Sequence, residues 1–184
     1  MKIVLSVLLL LVCSGMLVAQ TPLVGAPVSL DLGLGGGVSI PSGDLANLNS
    51  TGYHAGATLR LKSVLPLNIV ASGRYNRLPV KGTDAASEAW MVGAGLEYAL
   101  PGVGVSPYLG ADATLNIFKN QGAGSSSKNR GGIGLGGGVL FGLPGFGSFD
   151  AGVKYQMLNV MGKDPNEPNF YQVAATLSLM ATIL

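Results

Sequence analysis

The stretch "PYLGADATLNIF", Pro107–Phe118, decides the fold because its residues alternate between two unlike sets. One set is wholly apolar and consists of Pro107, Leu109, Ala111, Ala113, Leu115 and Ile117. The other set is mostly small or polar and includes the carboxylate of Asp112. A period of two predicts a β-strand with one face against apolar surroundings and a second face that tolerates a charge.

The same alternation recurs along the rest of the chain, which predicts eight strands in all. The segments are residues 28–40, 53–62, 67–76, 90–100, 107–118, 132–143, 148–157 and 171–183. Each has roughly the 9–13 residues that a tilted strand needs to cross a bilayer. A chain with eight such segments and no long apolar run after its start favours an all-β fold.

The composition of the second face indicates which side of the sheet lies outside. A surface in water is typically about a quarter or more charged, whereas this face is mainly Gly, Ser, Thr and Asn with few charges per strand. It suits the interior of a narrow barrel, with Asp112 pointing inward and lipid outside. The sequence therefore predicts an eight-stranded antiparallel up-and-down transmembrane β-barrel. A soluble exported barrel that carries an apolar ligand is the alternative with the faces reversed.

The charges on the predicted inner face are balanced. The acids are Asp31, Glu97, Asp112 and Asp150, and the bases are Arg60, Lys62, Arg74 and Lys154. Because unpaired charges away from bulk water are costly, we expect these groups to pair or to hold water. A lumen closed by such a network is expected to be a structural plug, and a diffusion pore is the less favoured interpretation.

The first residues predict the compartment. Residues 1–19 carry one charge, Lys2, before an apolar run that ends in small residues, which is typical of a secretory signal peptide cleaved after Ala19 or Gln20. Residues 20–184 then form one outer-membrane barrel domain. The only cysteine of the whole chain, Cys13, lies in the predicted leader, so disulfides and cysteine-based sites are excluded from the mature chain. Without Lys2, 11 − 1 = 10 basic residues face nine acidic ones, and nucleic acid is not an expected partner.

The links between the predicted strands alternate in length. Residues 63–66, 101–104 and 144–147 form short links, and residues 41–51, 77–88, 119–130 and 161–169 form long ones. Outer-membrane barrels have short periplasmic turns and long extracellular loops, so both termini are expected in the periplasm. Aromatic side chains that suit the two headgroup levels support this frame. They are Tyr53, Tyr75, Trp90, Tyr98, Phe149 and Tyr171.

With its leader ending "VAQ" and its run "GLGGGVSIPSGDLANLNSTGYHAGATLRLK" over residues 33–62, the chain resembles the small outer-membrane β-barrel proteins. This group includes the OmpA transmembrane domain, OmpX and the opacity proteins. The resemblance covers the mature chain and implies a monomer in the bacterial outer membrane. It implies contact with lipopolysaccharide and with the barrel assembly machinery, a structural or cell-surface role, and no enzymatic activity or cofactor.

Two local features leave functional alternatives open. His54 is the only histidine, too few for a multi-histidine metal site, but it could serve a lipid-modifying enzyme together with Asp84 and Ser87. Deacylases of similar shape carry a serine two residues after the histidine, where this chain has Gly56. In the third long link, Lys119, Lys128 and Arg130 could contact lipopolysaccharide phosphates or belong to a solvated, flexible loop.

Overall fold

The computed structural model describes residues 28–100, 102, 104–119, 127–143 and 147–183. The elements in chain order are β1 (Ser29–Ser42), α1 (Asp44–Leu48), β2 (Gly52–Lys62), β3 (Leu67–Pro79), β4 (Ala86–Ala99), β5 (Val105–Lys119), β6 (Lys128–Leu143), β7 (Gly147–Met161) and β8 (Tyr171–Thr182). The signal peptide predicted for residues 1–19, with Lys2, Cys13 and the cleavage site, lies outside the described residues. Within the described part, no helix has the length and apolar character needed to cross a membrane.

The eight strands close into a single barrel in which each strand pairs antiparallel with its neighbours. Strands β1 and β8 complete the ring, with a register that runs from Asp31 opposite Thr182 to Ser42 opposite Tyr171. A closed ring has no free strand edge, so the backbone groups of every strand find partners on both sides. The predicted all-β, eight-stranded up-and-down barrel is confirmed.

Several strands are longer than the segments predicted from the alternation. They span 11 to 16 residues, and the β5–β6 hairpin accounts for the clearest difference. β5 continues to Lys119 and β6 begins at Lys128, with Phe118 paired opposite Lys128. The prediction of a loop over residues 119–130 is therefore wrong at both of its ends. Backbone pairing continues beyond the apolar alternation because ladder hydrogen bonds do not require apolar side chains.

The two faces of the barrel differ sharply in exposure. Leu34, Leu109 and Leu135 point outward, each with about two thirds of its surface exposed (66%, 67% and 64%), whereas Asp31 and Arg60 point inward and are 1% exposed. The barrel therefore presents an apolar outer wall around a polar interior. This inverts the arrangement of a protein that folds in water.

Glycines make room inside the barrel, most densely along β6. They occupy every second position from Gly132 to Gly138 on its inner face. A Cβ atom at Gly136 would lie 2.4 Å from the carbonyl oxygen of Val153, and one at Gly138 would lie 2.6 Å from the hydroxyl of Tyr108. The bare inner wall of β6 thus lets large side chains from the other strands fill the lumen.

The end of the barrel that carries the long links is capped by an apolar cluster. Helix α1 lies in the first long link, where the sequence predicts only a loop, and it brings Leu45 against Leu78 and Leu158. Ala89 and Met91 complete the cluster, and two aromatic side chains, Phe118 and Phe170, pack against it. A helix of five residues is too short to produce a readable helical period, which explains why the alternation missed it.

Candidate functional site

The centre of the lumen is crossed by a cluster built on Arg60 from β2. Its Nε donates to Glu97 Oε2 at 2.6 Å and its Nη2 donates to Asp150 Oδ2 at 2.7 Å, so one guanidinium joins β2 to β4 and to β7. The Tyr108 hydroxyl donates to the other oxygen of Asp150 at 2.9 Å, and its ring lies 5.3 Å from the Arg60 guanidinium carbon. Because Arg60 is buried, these bonds compensate a charge with little access to bulk water, and its Nη1 has no partner among the described residues.

Two further ion pairs line the lumen. Lys62 binds Asp31, and the Thr182 hydroxyl donates to the same carboxylate at 2.8 Å, next to the β1–β8 closure. Lys154 donates to Asp112 at 2.5 Å, so the aspartate in the opening stretch does point inward and meets a base on β7. Seven of the eight sequence-predicted lumen charges therefore lie in direct ion pairs.

Arg74 is the predicted lumen charge that the fold does not bring into an ion pair with the described residues. Its Nε and Nη2 are buried without a hydrogen-bond partner there, and so is Asp112 Oδ1. Both side chains line a central cavity of about 90 Å³, together with Thr58, Ser72 and Thr176. A polar cavity of this size can hold several water molecules, which would serve such groups.

His54 lies among hydroxyl groups in the wall of the lumen. Its Nδ1 is 2.9 Å from Ser39 Oγ and its Nε2 is 2.9 Å from Thr176 Oγ1. The side chain is buried, and each of its ring nitrogens lies within hydrogen-bonding distance of a hydroxyl group. Ser87, which the enzyme alternative would use, instead accepts a hydrogen bond from Asn49 at 2.9 Å. The fold does not assemble His54, Ser87 and Asp84 into a catalytic group, and the described residues contain no metal-binding cluster.

The basic residues of the third long link are divided between two faces. Arg130 points inward and is buried, where its Nη2 donates to Glu167 at 2.6 Å and to Asp164 at 2.8 Å. Lys128 donates to the same Asp164 at 2.6 Å. These acids come from the fourth long link, so an analysis of the third link alone could not find them. The pKa of the Glu167 carboxyl falls to about 2, chiefly because Arg130 donates hydrogen bonds to it.

Lys119 belongs to a different surface, the outer rim of the barrel wall. It pairs across the strands with Glu88, which pairs with Arg77, which in turn pairs with Tyr53. We call this row of four residues the rim row. The Arg77 Nε lies 4.0 Å from Glu88 Oε1, so the row carries two cations and one acid. Sequence reasoning missed Arg77 and Glu88 because only the cross-strand register shows that they are neighbours of Lys119.

Aromatic side chains lie on the outer wall near the two ends of the strands. Tyr75 and Trp90 are in contact, with ring centroids 5.3 Å apart, two positions along their strands from Arg77 and Glu88. Tyr171 stacks on Tyr155 at 5.8 Å, a partner that the sequence analysis did not single out. Tyr98 lies at the opposite end of β4 and Phe149 at the start of β7.

Comparison with known proteins finds similarity in structure alone. No family model matches the sequence, and no curated protein matches it. Neisserial surface protein A superposes with a TM-score of 0.67 at 18% identity, over 85% of this chain and 98% of that one. The N-terminal β-barrel domain of Pseudomonas aeruginosa OprF superposes with a TM-score of 0.51 at 13% identity, over 83% of this chain and 96% of that one. The chain thus has the fold of the small eight-stranded outer-membrane barrels.

Proposed function

We propose that this chain is a non-enzymatic outer-membrane β-barrel protein with a structural or surface-contact role. The observation that carries the proposal is the inverted barrel, with its apolar wall outside and its paired charges inside. So large an apolar surface is unfavourable in water, since soluble monomers rarely expose continuous apolar patches above a few hundred Å². A bilayer matches such a wall, and the closed ring satisfies the backbone inside it.

The orientation follows from the unequal links. The long links, including the one that holds α1, face the cell exterior, and both termini lie in the periplasm. The mature chain, residues 20–184, is inserted as a monomer by the barrel assembly machinery. The name of the structurally similar Neisserial surface protein A supports a location at the cell surface.

The lumen is closed in this proposal. Arg60 reaches across the barrel to Glu97 and Asp150, and the apolar cluster around Leu45 covers the outer end. Together these groups obstruct the lumen between its two ends, so we expect no steady ion conductance in planar bilayers. Sustained channel events from the purified protein would contradict a closed lumen.

The rim row is the part of the surface best suited to lipid headgroups. Lys119 and Arg77 flank one acid on the outer wall, at the end of the barrel that faces the exterior. Guanidinium and ammonium groups bind phosphate oxygens strongly, so we assign this row to contact with lipopolysaccharide phosphates. Arg130 and Lys128 contribute less because Asp164 and Glu167 hold them.

The experiment that tests the proposal is cell fractionation followed by gel electrophoresis with and without boiling. A membrane-spanning barrel is expected in the outer-membrane fraction, folded in cold SDS, with a mobility that shifts on heating. A protein recovered in the soluble fraction without detergent would support the apolar-carrier alternative and refute the membrane assignment.

A separate measurement tests the absence of lipid-modifying activity. Lipid A mass spectra of cells that carry the protein, the His54→Ala variant or neither are expected to be identical, because His54 is buried between two hydroxyl groups. A mass change that depends on His54 would establish an enzyme.

A further inference from the structure

A second cavity lies in the outer end of the lumen, beside helix α1. Its volume is about 250 Å³. The apolar part of its wall is formed by Leu45, Leu48, Leu78, Ala89, Phe118, Leu158 and Phe170. This outer cavity is separate from the central charge network, because none of the residues that line the central cavity lines it.

One buried polar group in the wall of the outer cavity has an unused hydrogen-bonding atom. Asn76 is 3% exposed, and its Nδ2 donates to Gln172 Oε1 at 3.0 Å. Its Oδ1 has no partner among the described residues and has almost no accessible surface, so a donor in the cavity reaches it only when the Asn76 side chain shifts. A buried acceptor left without a donor costs about 1–3 kcal/mol, so a donor-bearing occupant would stabilise this site.

The charges around the outer cavity are largely compensated by one another. Arg130 is bonded to Glu167, and Lys128 is bonded to Asp164. Glu88 and Lys119 of the rim row also line this cavity, and they are direct cross-strand neighbours of opposite charge. An ionic ligand would have to displace these pairs, whereas a neutral one leaves them intact. Leu48 and Lys128 line the cavity and are also exposed, so the cavity reaches the surface of the barrel.

We propose that the outer cavity binds a small neutral molecule that combines an apolar body with one hydrogen-bond donor. The donor meets Asn76 Oδ1, and the body packs against Phe118, Phe170 and the leucines. An apolar cavity of about 150 Å³ accommodates benzene, so in proportion this one takes roughly ten non-hydrogen atoms. The edge-to-face pair of Phe118 and Phe170, 6.0 Å between centroids, favours an aromatic body.

The test uses the full barrel in phospholipid nanodiscs and equilibrium dialysis against two probes of equal size. One is para-propylphenol, and the other is para-propyltoluene, in which a methyl group replaces the hydroxyl. Nanodiscs without protein give the linear partition into lipid. We expect one saturable site per barrel, with the toluene probe bound about two- to tenfold more weakly because it lacks one hydrogen bond.

Variants locate the binding in the outer cavity. Ala89→Phe fills it and is expected to abolish saturable uptake, whereas Ala94→Phe, on the lipid-facing side of the same strand, is expected to retain it. Asn76→Leu should remove the difference between the probes. Heat-shift gels check folding, and Ala89→Leu replaces Ala89→Phe if the larger side chain prevents it.

Several outcomes would overturn the proposal. Uptake that stays linear with probe concentration excludes a site, and equal saturable binding by the Ala89 and Ala94 variants places the site elsewhere. Equal affinity for the two probes in the native chain removes the role assigned to Asn76. If both Ala89 variants fail to fold, the proposal is decided by the affinities of the two probes for the native chain and for Asn76→Leu.

Discussion

Arg60 is the residue on which the interior charge arrangement depends most. We predict that Arg60→Met lowers the free energy of unfolding by about 3–5 kcal/mol, because it leaves Glu97 and Asp150 buried without their cation. Urea unfolding of the barrel in lipid vesicles measures this loss.

The matched control is Arg77→Met on the rim row. Arg77 is exposed and its contact with Glu88 is long, at 4.0 Å, so the expected loss is much smaller than that of Arg60→Met. Similar losses for the two variants would show that the Arg60 cluster contributes no more than an exposed ion pair.

For single residues, the sequence predicted which face of the barrel a side chain points to better than it predicted the residue with which that side chain pairs. The alternation placed Asp112 and Arg60 on the inner face, because the side a residue faces is a local property with a period of two. Their partners depend on how strands far apart in the chain are staggered around the ring. Arg60 and Asp150 are 90 positions apart, and no local pattern connects them. The pairing of Arg130 with Glu167 was missed for the same reason.

Among the elements, β6 and β7 depend on glycine for their close fit with Tyr108. A Cβ atom at Gly152 would lie 2.6 Å from the Tyr108 hydroxyl and has no other contact closer than 3.5 Å. We predict that Gly152→Ala costs about 1–3 kcal/mol of stability through overpacking. The loss should shrink when Tyr108→Phe is added, which a double-mutant unfolding cycle measures.

Gly73→Ala on β3 provides the comparison for Gly152→Ala, because a Cβ atom there meets nothing within 4 Å. Its effect should stay within about 0.5 kcal/mol. A Gly152→Ala penalty that persists in full without the tyrosine hydroxyl would assign the strain to the backbone instead.

The link between β7 and β8 is held by carboxylates and should therefore respond to acid. The pKa of Glu167 is lowered from its ordinary value of 4.5 to about 2 in the folded chain. The stabilisation that its carboxylate gives to this link is therefore complete above pH 4.5 and is lost as the pH falls toward 2. A spin label on Asn166→Cys should gain mobility across that range. The Lys128 hydrogen bond lowers the pKa of Asp164 as well, which adds to the effect.

The same spin label in a Glu167→Gln variant tests whether Glu167 causes the acid response of this link. It should already be more mobile at neutral pH, with a smaller change on acidification that reflects Asp164 alone. An unchanged acid response in this variant would remove Glu167 from the explanation.

For the whole molecule, the β1–β8 register is the feature that distinguishes a closed ring from an open sheet. Val38 lies opposite Ala175 across this junction. We predict that Val38→Cys with Ala175→Cys oxidises to an intramolecular disulfide, seen as a mobility change on non-reducing gels. The pair is suitable because the two residues face each other on adjacent strands.

Val38→Cys with Leu177→Cys shifts the second cysteine by two positions and serves as the register control. It should oxidise much less, since diagonal neighbours lie farther apart than direct pairs. Efficient bridging of the shifted pair would indicate a different stagger around the ring.

The whole-molecule architecture could be read from the sequence because eight alternating segments and unequal links constrain it strongly. Helix α1 and the outer cavity could not, since Leu45 in the first long link meets Leu78 on β3 and Leu158 on β7, which are far from it in the sequence. The general shape therefore follows from periodicity, while the specific chemistry of the outer end follows from tertiary contacts.

The junction between the first and last strands also has a consequence for biogenesis. Of the eight described strands β8 is synthesised last, and β1 has no second partner until β8 arrives. An incomplete chain would present two rows of unsatisfied amide and carbonyl groups, which hydrocarbon cannot accommodate. Closure of the ring therefore requires β8, and a chain cut before β8 carries two open strand edges, one on β1 and one on β7.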